Sequence, residues 1–135
     1  MYQKDYLLRL IEIFNDAINR IIGVIENDES TIVQDEISSM YKLLGDESYF
    51  KKSSKEKIIN FFFKETGGLK KLDLLAHLMF LESQLNSINT SQKLDLLVKA
   101  KSFWGLYSKH TKEFSFEREN NIQRVNLLLE DINNS

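Results

Sequence analysis

The chain contains no cysteine and no proline, and only five of its 135 residues are glycine. The absence of cysteine excludes a disulfide framework and a thiolate metal site. Proline breaks helix interiors and marks turns, so its absence favours helices that are joined by short loops. These absences predict an all-α protein that contains no disulfides.

Long hydrophobic runs are also absent. The longest unbroken apolar stretches are only a few residues, whereas a membrane span needs about 20. The opening residues 1–6 lack the apolar segment of a signal peptide, and Arg9 and Glu12 place charges in the next turns of the chain. We therefore expect a cytoplasmic protein with no membrane partner.

The composition that is present, 42% hydrophobic and 28% charged, is typical of one globular domain over residues 1–135. The net charge of −2 is unevenly distributed, because residues 1–49 carry −6 and residues 50–71 carry +5. The basic segment has seven lysines and no arginine, which is the usual base-reading residue. The basic segment leaves a helix-turn-helix-like surface for an anionic partner as the alternative interpretation, but we expect no specific nucleic-acid binding.

Apolar residues recur at steps of three and four, which is the helical period. The predicted helices span about 3–26, 29–44, 53–64, 70–87, 91–109 and 115–132, and 46–52 is predicted to be a loop. Helices with short connections predict antiparallel neighbours. About six of them would pack either as tetratricopeptide-like αα-hairpins or as an irregular helical bundle.

Polar residues before the periodic segments predict helix caps. Asp28 or Ser30 can cap the second helix, and Ser115 can cap the last. Ser53 and Glu56 have the spacing of a capping box for the third helix.

Glycine and tryptophan mark three further positions. Gly67-Gly68 is predicted to end the third helix, and Gly105 inside the fifth indicates a bend or a close helix contact. Trp104 lies on the apolar stripe of that helix, so we expect it in the core.

Both ends of the chain resemble a family of uncharacterised bacterial proteins, a domain of unknown function. Residues 1–12, Met-Tyr-x-Lys-Asp-Tyr-Leu-x-Arg-Leu-Ile-Glu, resemble its opening, and residues 114–118, Phe-Ser-Phe-Glu-Arg, resemble the start of its C-terminal helix. The resemblance implies a cytosolic helical protein of tetratricopeptide type with no known activity. Ala76 and Ala100 match the small residues of that repeat, whereas its glycine and closing proline are missing.

Catalytic and metal-binding patterns are weak. Asp73 and His77 share a helix face at i,i+4 spacing, but two ligands do not complete a metal site, and His110 belongs to another helix. The sequence has neither a nucleophile elbow nor a phosphate loop. We predict no catalytic residue, no cofactor and no metal, and the alternative is a small-molecule-binding or enzymatic bundle with an unrecognised site.

Charged residues follow one side of the first helix. Asp5, Arg9, Glu12 and Asp16 lie at i,i+3 and i,i+4 spacing. They form either a surface ion-pair run or, with Tyr2 as an aromatic anchor, a strip that faces a partner.

Three consecutive phenylalanines form the other candidate surface. At about 100° per residue, Phe62 lies at the centre of the apolar arc and Phe61 and Phe63 lie on its flanks. Either Tyr49, Phe50 and the next helix cover both flanks, or one flank stays exposed for self-association or a partner. The sequence therefore predicts a non-enzymatic helical scaffold that binds an unknown protein partner.

Overall fold

The computed structural model describes residues 2–26 and 30–134, with side chains described for 4–25 and 32–134. It is 83% helical, and no strand occurs in the described residues, so the all-α prediction is confirmed. The helices are α1 Tyr2–Glu26, α2 Ser30–Leu44, α3 Glu47–Lys52, α4 Lys55–Phe63, α5 Gly68–Glu82, α6 Thr90–His110 and α7 Phe116–Asn133.

The central element of the bundle is α5. Ten of its 15 residues are buried, because it is apolar on nearly every side. It packs against α1, α2, α4 and α6, and α7 packs against α6. Trp104 and Phe62 are core residues beside it, as predicted. The architecture is an irregular helical bundle around one buried helix.

The segment predicted to be a loop after α2 contains α3, so that prediction is wrong. The Asp46 side chain caps α3 by accepting a 3.1 Å hydrogen bond from the Ser48 amide. At the other end, the buried Lys99 ammonium donates to the carbonyl oxygens of Phe50, at 3.0 Å, and Lys51, at 3.1 Å. Backbone groups at both ends of this six-residue helix thus have hydrogen-bond partners. The described residues contain seven helices instead of the six predicted.

The predicted capping box of Ser53 and Glu56 is also wrong. Ser54 caps α4, and its hydroxyl accepts a 3.3 Å hydrogen bond from the Lys57 amide. Ser53 instead ends α3, because its own amide donates to the Tyr49 carbonyl at 2.9 Å. Because Ser53 ends the unpredicted helix α3, the cap of α4 is Ser54, one residue later than predicted.

The predicted cap at Ser115 is confirmed, since its hydroxyl accepts a 3.2 Å hydrogen bond from the Arg118 amide. The prediction of Asp28 or Ser30 as the cap of α2 lies outside the described residues and side chains.

The fourth predicted helix, 70–87, begins earlier and ends earlier in the structure. Gly67 takes a left-handed φ of 70°, and Gly68 is already the first residue of α5. A Cβ atom on Gly68 would lie 1.7 Å from the Phe62 carbonyl oxygen, so the backbone can approach this closely only because of the glycine. At the other end, α5 stops at Glu82.

A buried polar network joins α2 and α3 to α5. Glu82 is 2% exposed and accepts a 2.6 Å hydrogen bond from the Tyr41 hydroxyl and an ion pair from Lys51. Burial and the Glu82 carboxylate raise the pKa of Tyr41 well above its usual value. Burial alone would lower the pKa of Lys51, but its ion pairs with Glu82 and Glu47 raise it. The buried carboxylate is fully engaged, so its role is structural.

Candidate functional site

The charged strip of α1 is exposed to solvent. Asp5, Arg9 and Glu12 are all exposed, and no ion pair joins them within residues 2–26 and 30–134. The Tyr2 side chain, predicted to anchor this strip, lies outside the described side chains. Whether a partner binds here stays a prediction.

The two flanking phenylalanines differ in burial. Phe61 is covered, with ring centroids 5.7 Å from Tyr49 and 6.3 Å from Phe50. Phe63 is 48% exposed and has the His110 ring at 5.7 Å. The prediction that both flanks are covered is therefore wrong, because the Phe63 flank is open to solvent.

The lysine-rich stretch is partly neutralised. Lys70 pairs with Asp73 and Lys71 pairs with Glu65, each at 2.9 Å. Lys51 is held by the buried Glu82 carboxylate. Three of the seven lysines are thus engaged, and the absence of specific nucleic-acid binding stays a prediction.

The histidines belong to different helices. His77 on α5 meets the edge of the Trp104 ring at 5.9 Å, and burial lowers the pKa of His77, which favours its neutral form. His110 lies at the exposed end of α6. In the described part of the chain, no three histidine or carboxylate side chains are grouped to hold a metal ion.

A groove of about 600 Å³ follows the outer face of α6 between α4 and α7, and we call it the lysine groove. Its lining residues are Lys55, Glu56, Ile59, Val98, Lys101, Ser102, Gly105, Leu106, Lys109 and Leu129.

Gly105 makes the floor of the lysine groove open. No atom lies within 4 Å of a Cβ built on it, so the predicted close helix contact is wrong. Val98, Lys101, Gly105 and Lys109 are spaced three, four and four residues apart, and Leu106 follows Gly105, so all five lie on the same face of α6. The groove thus alternates apolar side chains with lysines over about three helical turns.

The lysine groove carries an excess of positive charge. Lys55, Lys101 and Lys109 line it together with one carboxylate, Glu56. Among the described residues, none of the three ammonium groups has an ion pair or a hydrogen bond. The sequence did not reveal this cluster, because Lys101 and Lys109 belong to a segment whose total charge is near zero.

A second concave surface, the His77 cleft, lies between α1 and α7 and has α5 as its floor. It consists of two cavities, of about 840 Å³ and 260 Å³, that share His77, Glu117 and Asn121. Five apolar residues, among them Phe80 and Leu127, line the larger cavity together with seven polar or charged ones.

The smaller cavity holds most of the charged groups of the cleft. Lys70 is engaged by Asp73, and Arg118 donates a 2.9 Å hydrogen bond to Ser108 and a second to the Glu113 carbonyl oxygen. Three polar side chains lie where the cavities meet, and they differ from these: within the described residues, none of His77, Glu117 and Asn121 makes a side-chain hydrogen bond or an ion pair.

None of the described helices is apolar over a stretch long enough to cross a lipid bilayer. Comparison with protein-family models, with curated proteins and with solved structures finds no match for this chain. The resemblance of its two ends to a bacterial family therefore stays a prediction.

Proposed function

We propose that the protein is a non-enzymatic interaction domain whose lysine groove binds an acidic amphipathic helix of a partner protein. The observation that carries this proposal is the excess of unpaired lysines around an open apolar floor. Amphipathic helices bind other proteins by placing an apolar face in such grooves.

The dimensions of the groove suit a short helix. Val98 and Lys109 are eleven positions apart on α6, which corresponds to roughly 16 Å at the helical rise. A partner helix of three to four turns has the same length. Gly105 allows close approach at the centre of the floor, because it has no side chain.

The spacing of the lysines specifies the charge pattern of the partner. Lys101 and Lys109 are eight residues apart, roughly 12 Å along α6. Acidic residues about two turns apart, beside a stripe of leucine-like residues, would meet both ammonium groups. Such charge complementarity chiefly increases the association rate and the specificity.

The test uses a fluorescein-labelled, 15-residue helical peptide made of leucine, alanine and glutamate, with glutamates two turns apart beside the leucines. Fluorescence anisotropy should show saturable binding to the full chain. Lys101→Glu should weaken binding at least tenfold, because it replaces an attraction with a repulsion. Lys57→Glu is the matched control, since Lys57 is exposed on α4 outside the groove.

A second peptide, in which lysine replaces every glutamate, tests the charge pattern and should not bind. Equal binding of both peptides, or an equal loss in the Lys57→Glu control, would overturn the proposal. Light scattering on the protein alone distinguishes the other occupant, a second copy. A dimer that Lys101→Glu abolishes would mean that the groove binds this chain itself.

A further inference from the structure

We infer that Asn121 and His77 form a binding site for a small uncharged molecule that has an amide-like polar group and an apolar body. This site is in the His77 cleft, which is separate from the lysine groove, so it goes beyond the proposed helix-binding function.

Asn121 provides the primary observation. It is 8% exposed and lines both cavities of the cleft, yet its carboxamide has no hydrogen bond within the described residues. Its carboxamide atoms keep some access to solvent in the cleft, so a ligand in the cavity can supply the hydrogen-bond partners that the protein does not. A carboxamide offers two donors and one acceptor, and it pairs well with another amide-like group.

His77 supplies the second polar group at the same junction. Its ring nitrogens make no hydrogen bond among the described residues, and burial, which lowers the pKa of His77, favours a neutral imidazole with one donor and one acceptor. The charged groups that act on it are Glu117 on α7 and Asp73 and Lys70 on its own helix. Asn121 and His77 together can therefore recognise a neutral ligand from two sides.

The charges that line the cleft cancel. They are Lys70, Arg118 and Arg124 on one side and Asp73, Glu113 and Glu117 on the other. A ligand with a net charge would meet no net complementary charge, and it would still lose its hydration on entering. This balance favours an uncharged ligand.

The larger cavity suits the apolar part of the ligand. Its volume of about 840 Å³ lies in the range of roughly 300–1,000 Å³ that is usual for small-molecule sites. Phe80 and Leu81 on α5 line it, as do Ile22 on α1 and Leu127 on α7. The polar junction fixes the orientation of the ligand, and these walls cover its body.

Trp104 makes the site directly observable. It is the only tryptophan in the chain, it lines the smaller cavity, and its ring contacts both His77 and Phe80. We would titrate the full chain with 3-phenylpropanamide and record tryptophan fluorescence. Two probes with the same skeleton, 3-phenylpropanoate and 3-phenylpropylamine, carry a negative and a positive charge. The amide should give a saturable change and bind at least tenfold more tightly than either charged probe.

Asn121→Leu should weaken binding of the amide at least tenfold, because it keeps the volume and removes the hydrogen bonds. Asn126→Leu is the control on the same helix, since the Asn126 carboxamide oxygen is buried without a hydrogen bond and lines neither cavity. His77→Phe provides a second test should Asn121→Leu fail to fold.

Three results would overturn the inference: no saturable change with the amide, unchanged binding in folded Asn121→Leu or His77→Phe, or tighter binding of a charged probe. None of them bears on the lysine groove, because the two surfaces share no residue.

Discussion

The Tyr41 hydroxyl donates a 2.6 Å hydrogen bond to the Glu82 carboxylate in the interior of the bundle. Hydrogen bonds to charged groups contribute about 1.5–3 kcal/mol, so Tyr41→Phe should lower the free energy of unfolding by that amount. Urea denaturation measures the loss. In a Glu82→Gln background the same substitution should cost less, because the acceptor is no longer charged, and an equal cost in both backgrounds would show that the pair is not coupled.

Phe62 and Phe63 are neighbours in sequence with opposite environments, one fully buried and the other half exposed. Phe62→Ala should destabilise the protein by about 3–5 kcal/mol, because it leaves a cavity in the core. Phe63→Ala should cost less than about 0.5 kcal/mol. Thermal unfolding distinguishes them, and similar losses would contradict the structure.

Self-association through Phe63 is a separate prediction. If the exposed ring forms an interface, Phe63→Glu should abolish a wild-type dimer in size-exclusion chromatography with light scattering, with little loss of stability. A monomeric wild-type protein would exclude that interface at the concentrations used.

Gly105 and Gly68 should respond oppositely to the same substitution. A methyl group at Gly105 meets no atom within 4 Å, so Gly105→Ala should raise the free energy of unfolding by about 0.5–1 kcal/mol. Gly68→Ala would place its Cβ against the Phe62 carbonyl and should destabilise the protein. The midpoints of urea denaturation test both predictions. A Gly68→Ala protein that is more stable than the wild type would contradict the close approach of Gly68 to the Phe62 carbonyl oxygen.

The depressed pKa of His77 predicts a dependence of stability on pH. Because the unfolded chain binds a proton more readily than the folded protein, stability should be full above about pH 6.5 and fall as the pH is lowered below that value. His77→Phe should flatten the curve below about pH 6.5. His110→Gln is the control, since His110 is exposed. An unchanged slope in His77→Phe would show that another group is responsible.

Much of the fold was predictable, because apolar periodicity is a local property of the sequence. The core positions of Phe62 and Trp104 followed from it, and the cap at Ser115 followed from the polar residue that precedes the last helix. The helix α3 did not, because its last carbonyl oxygens are satisfied by Lys99, which is 48 residues from Lys51 in sequence.

The candidate sites were less predictable than the fold. His77 and Asn121 lie on separate helices; the sequence pairs His77 only with Asp73, and Asn121 appears in it as an ordinary helix residue. Only the packing of α1, α5 and α7 brings them to one cavity. The positive charge of the lysine groove was likewise not predictable, because Lys55 is on α4 whereas Lys101 and Lys109 are on α6.

The contacts of Lys99 have a consequence for amide exchange in α3. A six-residue helix has too few internal hydrogen bonds to persist alone in water. Its amides are protected only while the Lys99 ammonium holds the final turn and the Phe50 ring stays buried. Deuterium uptake in α3 should therefore follow opening of the α5–α6 pair instead of local fraying, and this short helix should report on the slowest motions of the bundle.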